Sequence, residues 1–182
     1  MKKILKMKND SKGFTLIELL AVIVILGILM ITAIPAVTKY INSSKKSTFA
    51  DSAGAYINAA RYSLLNDEYD CQTPAEAGQT VYIPLYNDGS ANIDIDKGSG
   101  KSSYGKDYDT NSYVVVAYSG GKLVYSICLV DDGSNGTNKT SGDSSTCVVE
   151  EKELGKSTIA AQKATKPTAQ ALSSKTICKK NN

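Results

Sequence analysis

From Leu19 to Ile31 the chain carries no polar side chain, and continuing to Val37 gives 19 residues interrupted only by Thr32 and Pro35. An α-helix of that length spans about 28 Å, close to the ~30 Å thickness of a bilayer's hydrocarbon core. Lys2, Lys3, Lys6, Lys8 and Lys12 precede the run, and Lys39, Lys45 and Lys46 follow it. The denser basic cluster is N-terminal, so the positive-inside rule puts that tip in the cytoplasm and the C-terminal bulk outside. A cleaved secretory signal has the same outline, but three features oppose it. The apolar run is longer than a usual signal core. The helical pattern continues past Ala33-Ile-Pro-Ala-Val37. The small residue Gly13 stands before the run rather than after it.

Downstream, Val37, Tyr40, Ile41, Phe49, Ala53, Tyr56, Ile57, Ala60 and Leu64 recur at three- and four-residue spacing, with lysines, asparagines and Asp51 between them. That is one amphipathic stripe. The spacing predicts a single helix from about Phe14 to about Asn66, apolar all round in its first half and on one face in its second. A half of the second kind normally lies against a sheet. Segments 80–86, 112–119 and 122–130 are rich in β-branched and aromatic residues and read as strands, with 145–150 a shorter candidate and 91–96 a short edge strand. Gly120-Gly121 signals a tight hairpin. Pro84 keeps its strand from the sheet centre. Residues 131–145 are a turn-rich loop. Residues 157–164 read as a helical turn or two ended by Lys166-Pro167, and 175–182 as a short edge segment held through Cys178. The fold class is α+β: a long N-terminal helix packed on an antiparallel β-sheet.

Composition narrows the chemistry. There is no histidine, which removes Ser-His-Asp and Cys-His mechanisms and the commonest zinc ligand. The net charge is +3, yet residues 1–13 alone hold five lysines against Asp10, leaving the remaining 169 residues at −1. Nothing there favours an electrostatic nucleic-acid binder. Cys71, Cys128, Cys147 and Cys178 include no CxxC pair, so neither a zinc knuckle nor a thioredoxin-type site is suggested. Two disulfides in any of three connectivities, or four buried thiols, are both open.

Glu18 is the anomaly. A carboxylate in lipid costs several kcal/mol unless neutralised or paired. The nearest basic side chain is Lys12, beyond Gly13-Phe14. If the chain is cut after Gly13, Phe14 acquires a charged α-amine. In a staggered stack of copies, the amine of one meets Glu18 of another, and a buried polar pair then fixes register.

The stretch Lys12-Gly-Phe-Thr-Leu-Ile-Glu-Leu19 with its short basic leader closely resembles the type IV pilin signature, of the class with an N-terminal phenylalanine. The motif covers about residues 12–37; beyond that only the layout of elements matches. The resemblance implies cleavage between Gly13 and Phe14 by an aspartyl prepilin peptidase, N-methylation of Phe14, and pairing of Glu18 with a neighbour's Phe14 amine. It implies a leader (1–13), a membrane and assembly half-helix (14–37) and a globular head (38–182). The partners implied are further copies of the chain, the assembly platform with its ATPase, minor pilins, and the membrane before assembly; no cofactor is implied. Gly27 and Pro35 occupy places where such helices often break. The family often closes its C-terminal region with one disulfide; here Cys128–Cys147 across a hairpin, with Cys71–Cys178, is the favoured connectivity.

The function implied is a non-enzymatic subunit of an extracellular fibre serving adhesion, twitching motility or biofilm, and the mature length favours a major over a minor pilin. The alternative is a pseudopilin of a type II secretion or DNA-uptake system. A membrane-anchored enzyme would need a catalytic constellation, which the sequence does not supply. Three patterns that look like chemistry are set aside. Leu154-Gly-Lys-Ser157 lacks the first glycine of a phosphate loop, since Glu150 stands there. Asn92–Gly100 lacks the closing acid of a calcium loop, Gly105 falling there when counted from Asp94. Asp131-Asp132-Gly133 reads first as a turn. The strand tyrosines Tyr82, Tyr86, Tyr113, Tyr118 and Tyr125 read as core or sheet surface.

Overall fold

The computed structural model describes residues 14–87, 90–93, 100–138, 146–161, 164–168, 172 and 175–181. Residues 1–13, Asp94–Ser99 and 139–145 therefore lie outside the described residues, and with them half of the expected 91–96 strand. The backbone divides after Ile41 into two compact units, the second being Asn42–Asn182. One helix, α1 (Leu16–Leu65), contributes to both.

In the first unit every side chain of α1 is exposed, from Leu16 to Ile41. In the second unit α1 buries Phe49, Ala50, Ala53, Tyr56, Ile57, Ala60 and Leu64. This is the three-and-four spacing of one helix face. It packs into a core with residues of β1 (Thr80–Pro84), β4 (Tyr113–Ser119) and β5 (Lys122–Cys128). Between β1 and β4 lie the two-residue strands β2 (Tyr86–Asn87) and β3 (Ser90–Ala91), which pair with each other.

The main sheet has the order β1-β4-β5-β7, with β7 at Val149–Glu150, and every pairing is antiparallel. Side chains alternate between its faces. Val114 lies opposite Ile83 and Ile127, and Val116 opposite Val81 and Tyr125; all six belong to the core shared with α1. Tyr113 and its register partner Cys128 belong instead to a second cluster with Val130, Cys147, Ala164 and Leu172. The sheet is thus covered on both faces. Gly120 and Gly121 both have positive φ, +60° and +80°. They form the mirror-image two-residue turn that matches strand twist.

Pro84 ends β1 on the sheet edge, as expected for a residue with no N–H to give a ladder. The expected 80–86 strand is split there: the Leu85 N–H donates to Ser112 O at 2.8 Å, while Tyr86 turns to pair with Ala91. The 145–150 candidate shrinks to β7. The expected helical turn at 157–164 is corrected. A 3-10 turn, Lys156–Thr158, leads into β8 (Ile159–Ala160), which pairs with β6 (Gly136–Thr137). Ile159 is buried, and tertiary pairing of this β-branched residue overrides the weak helical pattern.

The closing segment lies along the outer side of β1. The Tyr82 N–H donates to Thr176 O and the Cys178 N–H to Tyr82 O, both at 2.8 Å. Buried Asn92 fastens it further: its Nδ2 donates to Pro84 O at 2.9 Å and Cys178 O at 3.1 Å, and its Oδ1 accepts from the Lys180 N–H at 2.7 Å. Disulfides join Cys71 to Cys178, with Cα atoms 5.2 Å apart, and Cys128 to Cys147, 4.9 Å apart.

Gly136 sits where two chain segments nearly touch. A Cβ there would come within 2.4 Å of Leu129 O and 2.8 Å of Val130 Cα. These are backbone atoms held by hydrogen bonds such as Thr137 N–H to Leu129 O, so they cannot rotate away. Gly136→Ala is expected to cost about 1–3 kcal/mol of head stability, read as a lowered denaturant midpoint; an unchanged midpoint would mean that the segment yields freely.

Candidate functional site

The acid singled out by the sequence stands in the first turn of α1. The first four N–H groups of any helix lack partners within it. Here Thr15, the residue before the helix, supplies the cap. The Glu18 N–H donates to Thr15 Oγ1 at 3.3 Å. In return Thr15 gives Glu18 Oε2 two hydrogen bonds of 2.8 Å, one from its backbone N–H and one from its hydroxyl. This is a capping box, Thr-x-x-Glu, with both ends satisfied reciprocally. An anion at this end also favours the helix dipole.

The sequence analysis sought a cation for Glu18; within the chain its hydrogen-bond partner is Thr15. The partner, Thr15, was legible as a threonine three residues before a glutamate at the mouth of an apolar run. Both hydrogen bonds land on one oxygen. Oε1 accepts none among the described residues. Phe14 lies immediately outside the cap and is 86% exposed. With Leu19 it occupies the two positions of a hydrophobic staple, but at that exposure it is not clamped.

Beyond the cap, the apolar half of α1 is long and apolar enough to cross a membrane. The hydroxyls of Thr32 and Thr38 are satisfied within the helix, as hydrocarbon requires. Thr32 Oγ1 donates to Leu29 O at 3.0 Å and Thr38 Oγ1 to Ile34 O at 2.9 Å. Gly27 has open space around it, and Pro35, which lacks an N–H to give the Ile31 carbonyl, lies inside a helix that runs on unbroken.

Residues 8–34 match the family described as the prokaryotic N-terminal methylation motif. That match supports a type IV pilin-like protein. It implies processing by a prepilin peptidase and assembly into pilus-like polymers, and with the exposed apolar helix it fits a membrane-anchored precursor. The match begins at Lys8, takes in the cap and most of the apolar half-helix, and stops short of the second unit. No solved structure matches the chain.

In the second unit, the polar clusters read as architecture. Asp131 is buried; its carboxylate accepts from the Ser102 hydroxyl and from the backbone and side-chain N–H groups of Asn135. It closes the 131–135 turn. Arg61 lies 4.4 Å over the Tyr125 ring and pairs with Glu151, whose hydrogen bond raises the guanidinium further above its ordinary range. Burial pushes the phenols of Tyr56 and Tyr108 up, and the two rings meet edge to face at 5.5 Å. Leu154–Ser157 enters a three-residue 3-10 turn and forms no strand-to-helix phosphate loop.

Proposed function

We propose that the chain is a prepilin whose leader, residues 1–13, is removed at the Gly13–Phe14 bond, after which Phe14 is N-methylated and the mature subunit polymerises into an extracellular type IV pilus. The observation that carries this reading is the coincidence of the methylation motif over residues 8–34 with an apolar half-helix that buries none of its side chains in its own subunit. About 25 cal/mol per Å² of apolar surface is gained on burial, so the apolar half-helix favours either lipid or a bundle of its own kind.

In this reading residues 14–37 are the assembly segment and 38–182 the displayed head. Glu18 meets the new Phe14 ammonium of a neighbouring subunit. Gly27 and Pro35 are the points at which the assembled helix loosens. The assembly platform, its ATPase and minor pilins are the partners expected on the way out of the membrane. Whether the fibre serves adhesion, motility or biofilm depends on what its head surface meets.

N-terminal analysis of protein sheared from the cell surface tests the proposal. The expected first residue is N-methylated Phe14, with a mass lacking residues 1–13. Surface protein that begins at Met1, or that has been cut beyond Val37, would overturn it.

A further inference from the structure

Asn135-Gly136 is the one Asn-Gly pair in the sequence and lies where β6 begins. Such a pair can modify itself. The Gly136 backbone nitrogen attacks the Asn135 side-chain carbonyl carbon, a cyclic succinimide closes, and the side-chain nitrogen leaves as ammonia with the Gly136 proton. Water then opens the ring at either carbonyl, giving aspartate or isoaspartate. Glycine favours the attack because it has no Cβ to obstruct it. We propose that Asn135-Gly136 is a modification site that the folded head keeps silent and an unfolded copy does not, so that chains which stay unfolded are chemically retired.

The fold restrains both reacting groups. Asn135 is buried, and its side chain is drawn back towards Asp131: Nδ2 donates to both carboxylate oxygens, each at 3.0 Å, and the Asn135 N–H donates to Oδ1 at 2.9 Å. Gly136 is held on the other side, paired with Ala160 between β6 and β8. The neighbouring peptide units are fixed too, the Asp131 N–H donating to Asn135 O and the Thr137 N–H to Leu129 O, both at 2.8 Å. The whole turn lies inside the loop closed by Cys128–Cys147. Ring closure therefore waits for the turn to open, and a turn flanked by buried Leu129, Val130 and Ile159 opens rarely.

The same geometry bars either product from the fold. Aspartate in that place loses both Nδ2 hydrogen bonds and sets a second carboxylate against that of buried Asp131, two like charges sharing one site out of water. Isoaspartate adds a carbon to the backbone immediately before Gly136, where even a Cβ would meet Leu129 O and Val130 Cα. Retirement of this kind holds whether or not the chain polymerises, since it depends only on time spent unfolded.

Detergent-solubilised full-length chain, kept at mildly alkaline pH, is compared in two forms: folded and oxidised, or unfolded in denaturant with reductant. Peptide mapping by mass spectrometry follows exchange of the Asn135 amide for a carboxyl, and isoaspartyl methyltransferase marks the iso form. The unfolded chain is expected to be modified at least about a hundredfold faster than the folded one, since the open state of a stable head is rarer than one in a hundred. Asn135→Gln, whose longer amide closes such rings poorly, is expected to stay unmodified in denaturant over the same period. A partly modified sample is then returned to oxidising refolding conditions. The folded fraction is expected to carry intact Asn135, with the modified peptide confined to misfolded and aggregated material. Similar rates in the two forms would overturn the shielding, and an equal share of modified peptide in the refolded and aggregated fractions would overturn the retirement. An Asn135 that stays intact in denaturant would overturn both.

Discussion

Glu18→Leu is expected to abolish surface fibres while leaving the leader removed and the head folded. Leucine makes the apolar half of α1 a better membrane span, so a defect in insertion is not anticipated. The cap between Thr15 and Glu18 is lost as well, but a helix cap contributes only about 0.5–2 kcal/mol. That frays one turn of a 50-residue helix. Breaking a charge pair inside an apolar bundle is worse. The orphaned Phe14 ammonium would remain, at a cost of about 3–5 kcal/mol per contact, repeated at every subunit added. At about 1.4 kcal/mol per tenfold, the pair outweighs the cap by between about fivefold and about a thousandfold at each step. Electron microscopy and immunoblots of the sheared fraction would read the result, with unassembled mature subunits accumulating in the membrane. Fibres of normal number and length from Glu18→Leu would remove the register argument altogether.

The second large effect is expected in the head. Replacing both Cys71 and Cys178 with serine should lower its stability by about 2–5 kcal/mol, towards the upper end because the closed loop exceeds a hundred residues. Removing Cys128 and Cys147 should cost less, about 3 kcal/mol, since only 19 positions separate them. The difference has a structural side too. The hydrogen bonds from Tyr82, Asp70 and Asn92 to the 176–180 segment all lie close to Cys178. Without the crosslink, a short strip held mainly by backbone hydrogen bonds frays from the sheet edge. Denaturant unfolding of the detergent-solubilised chain, with and without reductant, measures both. Equal midpoints for the native and Cys71→Ser/Cys178→Ser chains would mean that the strip docks without help from the bond.

The long helix was legible because two hydrophobic periods run on without a turn signal, and it ends at Leu65 rather than the expected Asn66. The three main strands were legible from β-branched runs, and the hairpin from Gly120-Gly121. What sequence could not supply was pairing decided by distant partners. Ile159 looks like part of a helical turn until Thr137 lies opposite it. Leu85 looks like strand until Ser112 takes its N–H, while its carbonyl accepts from Asn92. Asn92 itself gave no signal. A buried asparagine that satisfies three backbone groups is a property of the folded arrangement and not of a local pattern. At the N-terminus the acid was found and its cap was not, because an argument about charge in lipid looked outward for a cation. The nearer hydroxyl three residues upstream belongs to ordinary helix-start chemistry.

The long crosslink also sets a clock. Chains are made at about 5–20 residues per second, so Cys178, 107 positions after Cys71, emerges roughly 5–20 s later. Cys147 follows Cys128 within about a fifth of that interval. For those seconds Cys71 is a thiol whose rightful mate does not yet exist, and Cys128 arrives first. Early closure of the short loop withdraws that rival and leaves Cys71 waiting for the correct sulfur.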